Sequence, residues 1–235
     1  MSLLLLLSTF SCAQSQSKLN IGLILAPSIE QKLWLGTMDW IKFSDRGSLN
    51  FGGSIKYDLS RNIHLTSGVV LYDKGALYRS YLNATQTPLI TRTHYSHSWY
   101  AGLPLSIGYS IRLNEKSIVF PSIGITYGRV VWKYTITKYT DERNYHNRSY
   151  DSTNENYWGL DVGIGMEYQL KDGKSILLRP HYMRQLNRGW DLNPEKTNQG
   201  RFDSYVVDFV LFYDWDTIRL RKRKKNESPS SLDQS

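Results

Sequence analysis

Nine ionisable residues of the 235-residue chain fall on the polar side of a two-residue alternation: Lys56, Asp58, His64, Arg112, Asp161, Glu167, Arg179, His181 and Asp208. Such groups offer three kinds of chemistry. A carboxylate or histidine held near a substrate moves protons. Two histidines with a third ligand at the same height hold a metal. Opposite charges confined together form a structural network. His64 and His181 supply two ligands, and nothing in their spacing provides the third. The alternation puts all nine on one side of a sheet, where burial demands pairing or hydration. The expectation is a lumen-filling network of ion pairs, with no catalytic residue, no metal and no cofactor.

A second group, His94, Ser96, His97 and His146, lies in polar connecting stretches. It contains the serine and histidine that acyl transfer uses, but no spacing links nucleophile to base, and loop histidines are ordinarily solvated. Gly163 and Gly165 do not open a nucleotide fingerprint, because the third glycine position holds Tyr168 and no helix pattern follows.

The elements that position these residues are strands. In 158–170, Trp158, Leu160, Val162, Ile164, Met166, Tyr168 and Leu170 alternate with Gly159, Asp161, Gly163, Gly165, Glu167 and Gln169. A period of two means a strand with two unlike faces, and its length suits a tilted bilayer crossing of ~9–11 residues. The same alternation recurs at 19–26, where Pro27 is expected to end the strand, and at 50–59, 63–72, 99–113, 119–128, 176–187 and 205–214. Ser60-Arg61-Asn62, Asn114-Glu115-Lys116 and Lys171-Asp172-Gly173-Lys174 read as tight turns, the last with the Asp-Gly pair of a hairpin. Longer polar connections are expected at 28–47, 73–98, 132–156 and 188–201, the first carrying Trp34, Met38, Trp40 and Phe43 as interfacial aromatics.

Short turns at one end and long loops at the other, with an even strand number, are the pattern of a transmembrane barrel. A soluble lipocalin also has eight strands, but its joints are mostly tight hairpins and its polar face points outward. Here glycines gather on the polar face, as a narrow barrel interior requires. Tyr57, Trp99, Tyr109, Tyr127, Trp158, Tyr168 and Tyr213 sit near the ends of the apolar face, where interfacial girdles belong. No apolar run approaches the ~18 residues of a membrane-spanning helix. The fold class is therefore all-β, an eight-stranded antiparallel up-and-down transmembrane β-barrel spanning 18–215.

Residues 1–13 read as a secretory signal peptide, with an apolar core at 3–7 and small residues Ser11 and Ala13 at the cleavage positions, although no basic residue precedes the leucines. Acylation of Cys12 is the rival processing; Phe10 makes a poor lipobox. Cys12 is the sole cysteine, so the mature chain has neither a disulfide nor a thiolate metal site. The net charge of +8 includes a tail, 216–235, with six basic residues against three acidic ones. That tail reads as a solvated periplasmic end, with contact to acidic surfaces as the sharper alternative.

The segment Tyr100-Ala101-Gly102-Leu103-Pro104-Leu105-Ser106-Ile107-Gly108-Tyr109 resembles a strand of the small outer-membrane β-barrel domain proteins, some of them related to an accessory barrel of the type IX secretion system. Gly53 to Tyr57 with Leu71-Tyr72-Asp73-Lys74-Gly75, and Pro121-Ser122-Ile123-Gly124, are similar to other parts of that pattern. The chain has Gly102 and Gly108 where the pattern carries an acid and a base. The resemblance implies a fold and a place in the cell outer membrane. The functional expectation is a non-enzymatic, monomeric, porin-like barrel with a structural or surface-recognition role and a side-chain-filled lumen. The alternatives are an accessory secretion component and a narrow solute channel. Expected partners are outer-membrane lipid and lipopolysaccharide and an envelope protein, not nucleic acid.

Overall fold

Alternation at a period of two dictates extended chain, and in the computed structural model eight long strands form a closed ring. They are β1 (Leu19–Trp34), β2 (Arg46–Asp58), β3 (Ile63–Leu82), β4 (Ile90–Tyr109), β5 (Ser117–Tyr139), β6 (Asn156–Gln169), β7 (Lys174–Gln185) and β8 (Gln199–Asp214). Each is antiparallel to its sequence neighbours, and β8 returns to β1 through pairs such as Asn20↔Asp214 and Leu23↔Leu211. Closure leaves no open edge in the ring. The structure describes residues 19–34, 41–82, 90–139, 147–150, 156–187, 189–191 and 199–215. The signal segment with Cys12, Met38, Trp40, His146 and the basic tail lie outside them.

Polarity is inverted relative to a soluble protein. Leu23 is 70% exposed and Ile164 60%, whereas inward-facing Glu30, Lys74 and Glu167 are at most 1% exposed. Only a hydrocarbon surround makes that arrangement favourable, because in water the outer face would be one continuous apolar patch. Exposed Tyr57, Tyr109 and Tyr168 ring the short-turn end. Near the other end, Trp158 packs on Tyr127 at 4.8 Å and Tyr205 on Tyr182 at 5.4 Å. The Asp-Gly hairpin is as expected. Asp172 and Gly173 have φ of 65° and 69°, the positive pair that a type I′ turn requires.

Three connections expected to be irregular are largely strand. β1 does not stop at Pro27: the proline pairs with Leu49 on one side, while on the other the ladder passes from Leu25↔Phe209 to Ser28↔Val206. The missing amide therefore falls at a gap in one ladder only, which a strand tolerates. β3 and β4 run on as paired strands to Leu82↔Ile90, through most of the stretch read as a loop. β5 continues to Tyr139, and short strands Ile41–Ser44 and Asn147–Tyr150 pair with β3 and β5. The result is a sheet standing above the ring. It arises beyond a bulge: Tyr100 pairs with Val130 but Trp99 with Trp132, so Val131 is an extra residue and the faces of β5 exchange parity there.

Candidate functional site

The lumen is the candidate site, and its side chains can be read upward from the turn end. Inward positions of β7 run Ser175, Leu177, Arg179, His181, Met183; those of β8 run Phe212, Val210, Asp208, Val206, Ser204. Polar and apolar layers therefore alternate along the axis. In the lowest polar layer Lys56 Nζ lies 2.5 Å from Glu167 Oε2 and 3.8 Å from Asp58. Ser175 and Gln169 donate to the other Glu167 oxygen at 2.6 and 3.0 Å. His64 sits beside this layer, hydrogen-bonded to Ser110 at 3.0 Å with its ring edge-on to Phe120.

Phe120, Leu177, Val210 and Phe212 form the apolar layer above. Next come Arg179 and its partners. Nε and Nη2 of Arg179 reach Asp208 Oδ2 at 2.8 and 2.7 Å, Nη1 lies 3.6 Å from Asp161, and Nη1 donates to Ser106 at 3.3 Å. His181 Nε2 lies 3.3 Å from the second Asp208 oxygen. A cavity of about 30 Å³ adjoins Arg179 and Asp208. It has room for a water but not for a solute path.

A second apolar layer, Val70, Tyr72, Tyr100, Tyr157 and Met183, separates this cluster from the uppermost one. There Lys74 Nζ is 3.2 Å from both Glu30 oxygens and 2.5 Å from Ser204, whose hydroxyl donates to Glu30 at 2.5 Å. Tyr72 and Tyr157 present their rings to the same ammonium at 5.7 and 5.5 Å. Ser28 donates to Glu30 at 2.9 Å, and Asn50 to Ser28 at 3.1 Å. Lys74 and Glu30 thus each have an opposite charge and further hydrogen bonds, the condition under which burying an ion pair is tolerable.

Of the nine residues expected inside, Lys56, His64, Asp161, Glu167, Arg179, His181 and Asp208 are enclosed in these layers, and Asp58 is half-buried at the lower rim. Arg112 is not among them. It pairs with Ile118 at a short turn and is exposed, because parity carries no meaning once a strand has left the wall. Missed were Glu30, Lys74 and Ser204, together with Arg46 and Asp73, which form a group at the upper rim with His97, expected as a solvated loop histidine. There Arg46 bonds Asp73 and approaches His97 Nδ1 at 2.6 Å. The available signal was parity: Ser28 and Glu30 extend the even-numbered inward series of β1 past Pro27.

The histidine and serine candidates do not converge. His94 faces the inner side of the raised sheet and His97 the outer. His94 contacts Ser80 and Thr137 at 3.0 Å each. Ser80 and His94 have the reach of a nucleophile and base, but Thr137 stands where a triad places a carboxylate. Burial, and secondarily Arg92, lower the His94 pKa below its ordinary value. Among the described residues no group of three or more histidine, cysteine or acidic side chains is arranged to hold a metal.

No family model matches the chain, and no curated protein does. Solved structures similar to it include the outer membrane protein OprG from Pseudomonas aeruginosa, 12% identical over 85% of this chain and 95% of that one, TM-score 0.43. The outer membrane protease OmpT from Escherichia coli is 10% identical over 85% and 96%, TM-score 0.41. Neisserial surface protein A is 12% identical over 82% and 95%, TM-score 0.38. The closed ring, apolar wall and polar lumen themselves define the class: an eight-stranded transmembrane β-barrel.

Proposed function

We propose that the chain is a non-enzymatic, monomeric barrel whose lumen is closed and whose raised sheet acts as a surface-recognition element. The observation that carries this reading is the filled lumen. Three layers of paired charge and two apolar layers occupy the axis, and a cavity of about 30 Å³ lies beside Arg179 and Asp208. Eight strands leave an interior that side chains can fill. A device that closes its bore and extends its outer rim works through its surface.

Planar-bilayer recording of the refolded mature chain tests it: the wild type is expected to give no discrete conductance steps. Reproducible steps would sink the reading and favour a narrow solute channel. An accessory role in secretion rests on the resemblance of 53–57, 71–75, 100–109 and 121–124 alone. A stoichiometric envelope partner retained through detergent purification would favour it. Unchanged lipid A in cells with and without the protein is the expected result for a barrel that does no chemistry.

A further inference from the structure

β2 and β3 are paired over only part of their length. Their ladder ends at Phe51↔Leu71, and pairing resumes at Ser44↔Leu77, where the short strand Ile41–Ser44 meets β3. Between these two pairs one side has seven residue steps (51 − 44) and the other six (77 − 71). The surplus residue is slack, and the ladder is interrupted: among the described residues no cross-strand pair joins 46–50 to 72–76. Five residues at ~3.3 Å each make a gap ~16 Å long.

Backbone groups left unpaired in a wall must find other partners. Here side chains supply them. Asn50 Oδ1 accepts from the Asp73 amide at 3.0 Å, standing in for a ladder bond. Arg46 spans the gap. Its backbone pairs with Glu30, which places it in the inward series, yet its guanidinium ends among outward-facing groups. Nη2 bonds Asp73 and lies 2.6 Å from His97 Nδ1, and Nη1 donates to the Ser96 carbonyl at 3.4 Å. It crosses β3 at Gly75, where a Cβ would collide with Nη1. The glycine is the track on which the guanidinium lies.

The gap divides two unlike media. On the outside Leu49 is 47% exposed, and Phe51 meets Trp99 edge-on at 6.0 Å. Behind it lie the buried Ser28, Asn50, Glu30 and Lys74, with the Ser48 hydroxyl 2.6 Å from that of Ser28.

We propose that this gap is a lateral window in the barrel wall, with Arg46 as its strap. Releasing Arg46 opens the uppermost polar layer sideways to the bilayer. A membrane-borne amphiphile then places its polar head there while its chain stays in hydrocarbon. The bore along the axis stays filled, so the window goes beyond the closed-lumen reading without altering it.

The test uses the full mature barrel, without Cys12, in phospholipid vesicles. Ser48→Cys reports from behind the window, and Ser54→Cys from behind the intact ladder at Ser54↔Gly68. Labelling of each thiol by a maleimide bearing an alkyl chain is compared with labelling by a charged, water-soluble maleimide. Adding Arg46→Gln is expected to speed alkyl-maleimide labelling at position 48 on the order of tenfold or more. The charged reagent, and position 54 with either reagent, should be unaffected. Asp73→Asn loosens the same strap from its other end and should act in the same direction. It decides the matter if Arg46→Gln lacks the fast-migrating band of a folded barrel. Equal labelling at position 48 with and without the strap would overturn the proposal. So would equal acceleration of the charged reagent, which puts the route at the aqueous rim, or equal acceleration at position 54, which means that the whole wall has loosened.

Discussion

Lys74 has no exposed surface, and Glu30 holds it with Ser204 and two tyrosine rings in attendance. Neither charge reaches water, so each depends on the other for its solvation. Removing one should leave a bare charge in the lumen: Lys74→Met or Glu30→Gln is expected to destabilise the barrel by about 3–5 kcal/mol. The double replacement should recover a good part of that loss. Guanidinium unfolding of the four proteins in micelles measures both, and additive single effects would show that the pair is not coupled. His94 supplies a different handle. Its folded-state pKa lies below the unfolded value of ~6.5, so the unfolded chain binds the proton more readily. The His94 contribution is thus intact above that value and is lost as pH falls through it. Two-dimensional NMR of the ring in micelles should show a midpoint below ~6.5; a midpoint at or above it would contradict the buried placement.

Strands whose two faces met different surroundings could be read from the sequence, and strands whose faces did not could not. Between Trp158 and Leu170 one face meets lipid and the other the lumen, so apolar and polar residues alternate and the strand is visible. The same contrast made Lys56, Asp161, Glu167, Arg179 and Asp208 recognisable as interior. In the raised sheet that contrast fails. Ser96, His97, Ser98 and Lys133 follow no apolar period because neither face meets hydrocarbon, and they read as loop although they lie in paired strands. The uppermost ion pair was hidden for that reason, with Lys74 in a stretch read as loop and Glu30 beyond a proline. Face assignment within the wall is testable at neighbouring positions of β6. Ile164→Arg puts a charge into hydrocarbon and should cost about 2–4 kcal/mol. Gly165→Ala instead drives a methyl into the Phe120 ring, which covers that glycine from across the strand pair; overpacking there should cost about 1–3 kcal/mol. Denaturation of both variants in micelles decides, and an Ile164→Arg barrel as stable as wild type would reverse the two faces.

For the molecule as a whole, closure of the ring through β1 and β8 implies resistance to detergent. The unboiled mature chain should migrate faster on a denaturing gel than the boiled one; identical mobility would mean the ring does not persist in micelles. The bulge at Val131 bears on how such a wall can carry a second structure on top. A barrel strand is a two-beat pattern, and Val131 is an inserted beat. Below it Ile123, Ile125 and Tyr127 keep time with the bilayer; above it Trp132, Tyr134, Ile136 and Lys138 take the outward beat instead. Because the phase is reset at that residue, the rim above it can be lengthened or trimmed without changing which side chains meet the bilayer below.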